Sequence, residues 1–220
     1  IYASKWTELR DIQIAACQVI FDSDDNLLLS SGTASGKTEA AFLPVLTELY
    51  RNPSQSVGVL YISPLKALIN DQFKRLEYLL QESNLPVCKW HGDASVTEKN
   101  RLLKHPEGIL QITPESLESL LIRKRGACVQ LFRDLRFIII DEVHYFMRDV
   151  RGVQVLCLLE RLQRLTGNIP RRIGLSATLG DLEIAKNWLS SGTLRNCAAP
   201  TGTDGRQKIR LLVQRFQKTN

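Results

Sequence analysis

Two short polar strings, each placed directly after a run of apolar residues, constrain this chain more than any other feature. The first, Ser-Gly-Thr-Ala-Ser-Gly-Lys-Thr at residues 31–38, follows the leucines at 27–29. The second, Asp-Glu-Val-His at residues 141–144, follows an isoleucine-rich run at 136–140. Such runs predict buried strands of a mostly parallel sheet with helices on both faces. Ligands of these sheets bind beyond the carboxyl ends of the strands, so both strings are candidate functional sites.

The first string has the context of a phosphate-binding loop, because a strand precedes it and a helical pattern over residues 37–51 follows it. Backbone N–H groups and the dipole at a helix N-terminus attract phosphate. Gly36 lets the backbone approach closely, Lys37 is expected to reach the β and γ phosphates, and the Thr38 hydroxyl is expected to coordinate Mg²⁺. The residues expected to hold the nucleotide here are Gly32, Thr33, Ala34, Ser35, Gly36, Lys37 and Thr38.

The loop departs from the general phosphate-loop pattern at its first position. That pattern is Gly, four residues, then Gly-Lys-Ser/Thr, whereas this chain begins with Ser31. Gly32 follows one residue later and can relax the turn. The alternative is a chance Gly-Lys-Thr at the start of a helix. The second string, at its own strand end, argues against that alternative.

The acidic pair Asp141-Glu142 is suited to a magnesium ion and an attacking water. Two carboxylates at the end of a buried strand are costly unless a cation or a proton transfer uses them. Asp141 is the better partner for Mg²⁺, and Glu142 the better group to polarise water. The alternative is a solvated acid pair. His144 is either an ordinary histidine or a contact of the γ-phosphate region or Ser176, and its place beside the acids favours the second interpretation.

The sequence resembles the first RecA-like motor domain of a superfamily 2 DEAD/DEAH-box helicase in its Asp-Glu-Val-His form, because several motifs appear in the order of that family. The resemblance extends from about Gln13 to Thr178. Its motifs are the Gln motif at residues 10–13, motif I at 31–38, motif Ia at 63–68, motif Ib at 113–115, motif II at 141–144 and motif III at 176–178. The family implies Mg²⁺ and ATP as cofactors, with Lys37, Asp141, Glu142 and His144 as catalytic residues.

Within that superfamily the chain is most similar to the Lhr-like branch, which translocates on DNA. The shared features are Thr-Ala-Ser-Gly-Lys-Thr in motif I, Ser-Pro-Leu-Lys-Ala-Leu followed by Asn-Asp-Gln at residues 70–72, and Arg-Gly-Val at residues 151–153. The ordinary motif I of the superfamily is Ala-Pro-Thr-Gly-Ser-Gly-Lys-Thr. This chain departs from it at Ser31, Gly32 and Ala34.

The same resemblance implies roles for the remaining motifs. Gln13 would read adenine, since an amide both donates and accepts as the adenine edge requires. A surface glutamine is the alternative for Gln13, and a solvated lysine the alternative for Lys66. The residues implied to hold the sugar-phosphate backbone are Ser63, Pro64, Lys66, Thr113 and Pro114; those implied to couple nucleotide state to strand binding are Ser176 and Thr178. The segment at residues 91–93 is a further backbone-contact loop or a plain turn.

Composition limits the remaining function classes. The 220 residues are enough for one α/β core, and a net charge of +6 is compatible with a polyanionic partner. No apolar run approaches the roughly 18 residues of a membrane span. Five scattered cysteines indicate neither a zinc site nor a disulfide framework, so a cytoplasmic or nucleoid setting is expected. The basic pairs and runs, Arg171-Arg172 among them, are expected to be solvated.

The predicted strands and helices alternate along the chain, which favours a RecA-like parallel sheet. The strands are predicted at residues 27–30, 58–63, 86–90, 108–113, 136–141, 172–177 and 193–197, and the helices at 8–20, 37–51, 65–81, 114–121, 153–165 and 181–189. Residues 1–200 are expected to form the ATP-binding domain. Residues 201–220 are expected to form a linker toward a second RecA-like domain that is absent here.

The favoured function is an ATP-dependent helicase or translocase that acts on DNA. An RNA helicase with the same motor is the closest alternative, because no residue separates the two substrates. A nucleotide-dependent switch that does not unwind is the second alternative, and the strand-contact motifs argue against it. A small-molecule kinase is the third, but the chain shows neither an acceptor pocket nor a lid. Without the arginine fingers of a second domain, hydrolysis by this chain is expected to be poor.

Overall fold

The computed structural model of the protein describes residues 8–30, 32, 36–80, 85–177 and 179–200. Of the sequence predictions, those for Thr33, Ala34, Ser35, Thr178 and the segment 201–220 lie outside the described residues. Among the described residues, none of the helices has both the length and the apolar character needed to cross a lipid bilayer.

The described chain alternates between strands and helices. The strands are β1 (Asn26–Ser30), β2 (Val59–Ile62), β3 (Val87–Trp90), β4 (Ile109–Ile112), β5 (Phe137–Ile140), β6 (Arg171–Ser176) and β7 (Cys197–Ala198). The helices are α1 (Asp11–Asp22), α2 (Lys37–Arg51), α3 (Lys66–Leu80), α4 (Val96–Lys104), α5 (Pro114–Arg123), α6 (Arg125–Leu131), α7 (Val143–Met147), α8 (Val150–Thr166) and α9 (Leu182–Ser190).

The strands form one sheet in the order β3-β4-β2-β5-β6-β1-β7, and all of its described pairs are parallel. This confirms the predicted α/β class with a parallel sheet. Because every strand runs in the same direction, the carboxyl ends of β1, β6 and β5 lie side by side, followed by those of β2, β4 and β3. We call this line of strand ends the carboxyl-end edge, and the opposite one the amino-end edge.

Alternate side chains of each strand enter two apolar cores, one on each face. Leu27 and Leu29 of β1 pack in the core formed with α1, α2 and α3, whereas Leu28 packs in the core with α4 to α9. This alternation follows from the period of two in a strand. Each fully buried aliphatic side chain contributes about 1.5–3 kcal/mol, so both faces of the sheet stabilise the fold.

The strands and helices that were predicted agree with the structure, with differences of one to three residues at their ends, except for the last strand. That strand is short and lies at 197–198 rather than 193–197, where Asn196 accepts the amide of Asn26 and begins the pairing with β1. Three short helices, α4, α6 and α7, were not predicted. The start of α4 had a sequence signal, because Ser95 and Glu98 have the spacing of a helix cap and the Ser95 hydroxyl accepts the amide of Glu98.

The expectation that Arg171-Arg172 is a solvated basic pair was wrong. Both arginines lie at the amino end of β6 and are buried, at 7% and 3% exposure. Arg171 donates to the carbonyl oxygens of Val19 and Ile20 at the end of α1, each at 2.8 Å. Arg172 donates to those of Leu189 and Ser191 at the end of α9, at 3.0 and 2.6 Å. Adjacent residues of a strand point to opposite faces, so the pair caps two helices on opposite sides of the sheet.

Candidate nucleotide and nucleic-acid site

The order of the strands brings most of the predicted site residues to the carboxyl-end edge. Ser30, which precedes the phosphate loop, is in register with Ser176 at the end of β6. Asp141 follows β5, the neighbour of β6, and its amide donates to the carbonyl oxygen of Ile62 on β2 at 2.9 Å. The nucleotide motifs therefore adjoin motif Ia through a backbone hydrogen bond.

The phosphate loop needs a glycine at position 36 for two reasons. Gly36 is the N-cap of α2 with φ of 82°, in the left-handed region that favours glycine. A Cβ atom there would lie 2.9 Å from Nε2 of Gln13. Next along the chain, Lys37 donates from Nζ to the carbonyl oxygen of Gly32 at 2.7 Å, and Thr38 is buried at 8% exposure. The described part of the loop thus leads into α2, and the side chain of Lys37 folds back onto the loop through its hydrogen bond to Gly32.

Gln13 lies against this loop, on the first turn of α1. Its Oε1 accepts the backbone amide of Arg10 at 3.0 Å, which completes a capping box at the start of the helix. Its Nε2 faces Gly36, and the side chain is buried at 4% exposure. The alternative of a surface glutamine is therefore wrong. Reading of adenine by Gln13 stays a prediction.

Asp141 is a buried carboxylate with a small set of protein donors. The Tyr61 hydroxyl donates to Oδ2, and the Glu142 amide donates to Oδ1 at 3.0 Å. Burial raises the pKa of Asp141 above its ordinary value, and the neighbouring charge of Glu142 raises it further. The hydrogen bond from Tyr61 and the charge of Lys37 act in the opposite direction on this pKa. Such a carboxylate favours a cation beside it.

Tyr61 is the site residue that the sequence analysis missed. It lies on the buried strand β2, in register with Ile139 of β5. Its hydroxyl reaches the carboxylate of Asp141, which is two residues beyond Ile139. The available signal was a tyrosine within an otherwise aliphatic run, since a buried tyrosine hydroxyl usually has a polar partner.

Glu142 has a strained backbone. Its φ of 51° and ψ of 50° are left-handed, and no other non-glycine residue in the described part of the chain has a positive φ. Left-handed backbone costs a side-chain-bearing residue of order 1–3 kcal/mol and is concentrated at functional sites. Oε2 of Glu142 is buried and accepts no hydrogen bond, although Nδ1 of His144 lies 3.3 Å away.

His144 joins the acid pair to motif III. Its Nδ1 lies 2.9 Å from the hydroxyl oxygen of Ser176, a hydrogen-bond distance, so the predicted contact between these two residues is present. Because the same nitrogen is also the neighbour of Glu142, one imidazole contacts the ends of β5 and β6 together. This arrangement can transmit a change at Glu142 to the Ser176 strand end.

The predicted strand-contact residues occupy the next part of the edge, after β2 and β4. Ser63 is fully buried, and its hydroxyl has no hydrogen-bond partner. Thr113 caps α5 by accepting the amide of Ser116 at 3.4 Å, and Pro114 is the buried first residue of that helix. Lys66 begins α3, half exposed, with Nζ 3.2 Å from Oδ2 of Asp93. The structure thus places these residues on neighbouring strand ends, and Lys66 has an acidic neighbour. Contact of Lys66 with a nucleic-acid backbone stays a prediction.

His91 ends this row, after β3. Its side chain is buried, and neither ring nitrogen has a hydrogen-bond partner. Burial lowers the pKa of His91, although the charge of Asp93 opposes that effect. Residues 91–94 form a turn, in which the amide of Ala94 donates to the carbonyl oxygen of His91 at 3.1 Å. The unpaired imidazole is unusual in it, because buried polar atoms are normally hydrogen-bonded.

The site offers few ligands for a metal of its own. Among the described residues, no group of three or more His, Cys, Asp and Glu side chains is arranged to hold a metal ion. Magnesium commonly binds proteins through one or two carboxylates and keeps the remaining positions for water and substrate phosphates. Asp141 and Glu142 are the carboxylates of this site, and Thr38 adds a hydroxyl oxygen.

Known proteins are similar to this chain in both sequence and fold. The sequence profile of the DEAD/DEAH box helicase family matches residues 10–186. The protein named ATP-dependent helicase Lhr-Core of Methanothermobacter thermautotrophicus is 40% identical over 191 residues, covering 78% of this chain and 22% of the relative. The Lhr helicase/uracil glycosylase of Escherichia coli is 35% identical, covering 70% of this chain and 11% of the relative.

Two solved structures illustrate the similarity of fold. The helicase Lhr of Mycobacterium smegmatis, bound to ssDNA and AMP-PNP, has 31% identity and a TM-score of 0.77, covering 91% of this chain and 27% of that one. The DEAD-box helicase Mss116, bound to ssRNA and UDP-BeF, has 16% identity and a TM-score of 0.77, covering 90% and 41%, and at that identity indicates fold alone. This chain spans about a fifth of the length of its first Lhr-Core relatives, at 20–22%.

Proposed function

Because the chain belongs to the DEAD/DEAH box helicase family, within its Lhr-like branch, we propose that it is the ATP-binding motor domain of a helicase or translocase. The proposed substrate is nucleic acid, with DNA favoured over RNA. One observation carries the proposal: the nucleotide motifs and the strand-contact motifs adjoin each other on the carboxyl-end edge, through the hydrogen bond from Asp141 to Ile62.

ATP would lie on the loop between β1 and α2. The amides at the start of α2 would face its phosphates, and Lys37 would exchange the carbonyl oxygen of Gly32 for the β and γ phosphates. Thr33, Ala34 and Ser35 are proposed to complete the loop. Gln13 would bind adenine, and its contact with Gly36 supports a position beside the nucleotide.

Thr38 and Asp141 are the proposed ligands of Mg²⁺. The buried Asp141 carboxylate, with its raised pKa, fits a cation, and Thr38 supplies a buried hydroxyl on the first turn of α2. When bound, Mg²⁺ would neutralise charge that develops on the phosphate oxygens. The Tyr61 hydroxyl holds one carboxylate oxygen of Asp141 and so fixes the direction of the other.

Glu142 is proposed to orient the attacking water and to accept its proton. Its buried Oε2 has no hydrogen bond in the described structure, so it retains the acceptor capacity that this role requires. His144 would hold the carboxylate of Glu142, and a movement of that carboxylate would shift the imidazole and its hydrogen bond to Ser176. Thr178 is proposed to act with Ser176. A second RecA-like domain is proposed to supply arginine fingers, which are worth about 10³–10⁵ in rate in enzymes that use them.

The strand is proposed to bind along the loops after β2 and β4. Ser63, Lys66 and Thr113 would hold the sugar-phosphate backbone together with Pro64 and Pro114. The half-exposed ammonium of Lys66 at the start of α3 supports this assignment, because a cation there can contact a phosphate oxygen. Residues 1–200 are proposed as the ATP-binding domain and 201–220 as a linker, in a protein of the cytoplasm or nucleoid.

The test is the ATPase rate of the full-length natural protein alone, with single-stranded DNA, and with single-stranded RNA of the same sequence. Stimulation by DNA is the expected result. Stimulation by RNA alone would replace the favoured substrate, and the absence of stimulation by either strand would contradict a motor and favour a nucleotide-dependent switch. Lys37→Ala serves as the inactive control, since loss of the phosphate-binding lysine should abolish nucleotide binding.

A further inference from the structure

Arg151 lies where the two groups of motifs meet. It belongs to the first turn of α8, the helix that follows α7. Its Nη2 donates to the carbonyl oxygen of Pro64 at 2.9 Å and to Oε1 of Glu115 at 2.6 Å. Pro64 follows β2 and Glu115 lies in the first turn of α5. A single guanidinium nitrogen therefore joins both proposed strand-contact segments.

The same guanidinium is also held against the helix that begins directly after Glu142. Its central carbon lies 5.5 Å from the ring centroid of Tyr145 and 5.9 Å from that of Phe146, both on α7. Gly152 allows α8 to start this close to α7, because a Cβ atom there would lie 2.1 Å from the carbonyl oxygen of Phe146. Arg151 thus contacts the acid-pair helix and the strand-contact segments at once.

Stability alone does not account for this arrangement. The side chains of Arg151 and Glu115 are 23% and 55% exposed, and such ion pairs contribute only about 0–1 kcal/mol. Besides the contact of Arg151 with Glu115, a second polar contact joins α8 to α5: Nε2 of Gln154 donates to Oε2 of Glu118 at 2.8 Å. The two helices therefore remain joined when the contact of Arg151 is removed.

We propose that Arg151 is a positioning residue that couples strand binding to ATP turnover. This inference rests on the proposed function. When a strand binds along the loops after β2 and β4, it orders the segments that carry Pro64 and Glu115, and the two acceptors that face Arg151 then fix the guanidinium. The fixed guanidinium holds the rings of Tyr145 and Phe146, and with them the first residues of α7 and the carboxylate of Glu142.

The experiment compares Arg151→Met with Arg164→Met in the full-length natural protein. Arg164 is a control on the same helix, exposed and paired only with Glu160 one turn away among the described contacts. ATP turnover is measured across a titration of single-stranded DNA and RNA, with nucleotide affinity and Tm measured on the same samples. For Arg151→Met, we expect the maximal stimulation by the strand to fall by a factor within the roughly 5- to 150-fold range of site–site coupling, with nucleotide affinity changed less than about twofold.

Two further variants separate coupling from a structural role. Arg151→Lys keeps the charge but not the planar fork, so it should restore only part of the stimulation. Glu115→Gln combined with Arg151→Met should lose less than the sum of the two single changes, because both remove the same contact.

Three results would contradict the inference or its premise. Undiminished stimulation in Arg151→Met would show that the contact does not couple the sites. An equal loss of turnover with and without strand would assign Arg151 to the nucleotide site or to the fold. No stimulation of the unsubstituted protein by either strand would instead reject the proposed function, and the inference with it.

Discussion

The two edges of the sheet differ in whether their buried polar groups are hydrogen-bonded. At the amino-end edge, the guanidinium groups of Arg171 and Arg172 are occupied by helix carbonyls, and Oδ1 of Asn26 accepts the amide of Arg172 at 2.9 Å. At the carboxyl-end edge, the Ser63 hydroxyl, both nitrogens of His91 and Oε2 of Glu142 are buried without a hydrogen bond. In the described part of the chain, Nε of Arg195 is an exception near the amino end.

This difference separates stability from function. A buried polar atom without a partner costs about 1–3 kcal/mol, so several of them together indicate a place where water, an ion or a ligand supplies the partners, or where the atoms serve catalysis. Glu142 adds left-handed backbone strain at the same edge. We infer that the amino-end edge stabilises the domain and that the carboxyl-end edge is arranged for its ligands. Substitutions at the two edges should therefore have separable effects.

The largest effect is expected for Glu142→Gln at the carboxyl-end edge. An amide cannot accept the proton of the attacking water, so ATP turnover should fall by about 10²–10⁴-fold, the range for loss of a general base. Nucleotide affinity should be nearly unchanged, because the phosphate loop is intact. The measurement is phosphate release by the full-length natural protein, with affinity for AMP-PNP determined by calorimetry.

The matched control is Glu107→Gln, which makes the same change at an exposed residue before β4, on the amino-end side. It should leave turnover and affinity as they were. Normal turnover in Glu142→Gln would remove Glu142 from the proposed mechanism. A parallel loss of nucleotide affinity would mean that its carboxylate acts in binding.

The next effect is expected for Arg172→Met at the amino-end edge. The change leaves the carbonyl oxygens of Leu189 and Ser191 without their donor. Part of that cost is offset, since burial lowers the pKa of Arg172 to about 10 and so disfavours its charge. A net loss of roughly 2–4 kcal/mol is expected, which corresponds to a fall in Tm on the order of 10 °C for a domain of this size.

Nucleotide affinity at 20 °C should survive Arg172→Met if the edges are separable. Arg161→Met provides the comparison, because Arg161 is exposed on α8 and its replacement should change stability by no more than about 0.5 kcal/mol. A variant that keeps its Tm, or that loses nucleotide binding while still folded, would contradict the division between the two edges.

The sequence allowed much more of one edge to be predicted than of the other. The carboxyl-end edge is built from local strings, each directly after its apolar strand, so the phosphate loop, the acid pair and the His144–Ser176 contact could be anticipated. The amino-end edge depends on contacts between distant segments, such as Arg171 with the carbonyl of Val19, 152 residues away. No local pattern distinguishes such an arginine from a solvated one.

The same limit explains the other differences. Tyr61 reaches an acid 80 residues away, so its role could be seen only in the folded sheet. The helices α6 and α7 have 7 and 5 residues, too few for a helical period to be visible in the sequence. Burial of both faces was predictable because continuous apolar runs are typical of central parallel strands.

A smaller effect should reveal the strain at Glu142. Glycine adopts the left-handed region at no steric cost, so Glu142→Gly should be more stable than Glu142→Ala by about 1 kcal/mol. In the interior of α8 the order should reverse, with Arg161→Gly less stable than Arg161→Ala by roughly the same amount. Urea unfolding of the four variants measures both differences. An alanine variant at least as stable as the glycine variant at position 142 would mean that the backbone relaxes and stores no strain.

The smallest effect is expected for Asp134→Asn at the amino-end edge. Oδ2 of Asp134 accepts the amide of Gln55 at 2.8 Å, and Oδ1 lies 3.2 Å from Nε of Arg136. Burial acts to raise the pKa of Asp134, but the hydrogen bonds from Arg136 and Gln55 outweigh it and hold this pKa below the ordinary value. The stabilisation is therefore fully present above the pKa of the aspartate in the unfolded chain, about 3.9, and is lost as the pH falls through the lower pKa of the folded state.

At neutral pH, Asp134→Asn should accordingly lower the free energy of unfolding, by no more than about 1 kcal/mol because the ion pair is partly exposed. The difference from the unsubstituted chain should shrink as the pH falls below 4 and vanish once the carboxylate is protonated in both states. Urea unfolding between pH 7 and pH 3 measures it, with Asp22→Asn as a control for the loss of one exposed negative charge. A difference that stays constant down to pH 3 would show that Asp134 stabilises the loop through its shape rather than its charge, and that this part of the amino-end edge does not depend on ionisation.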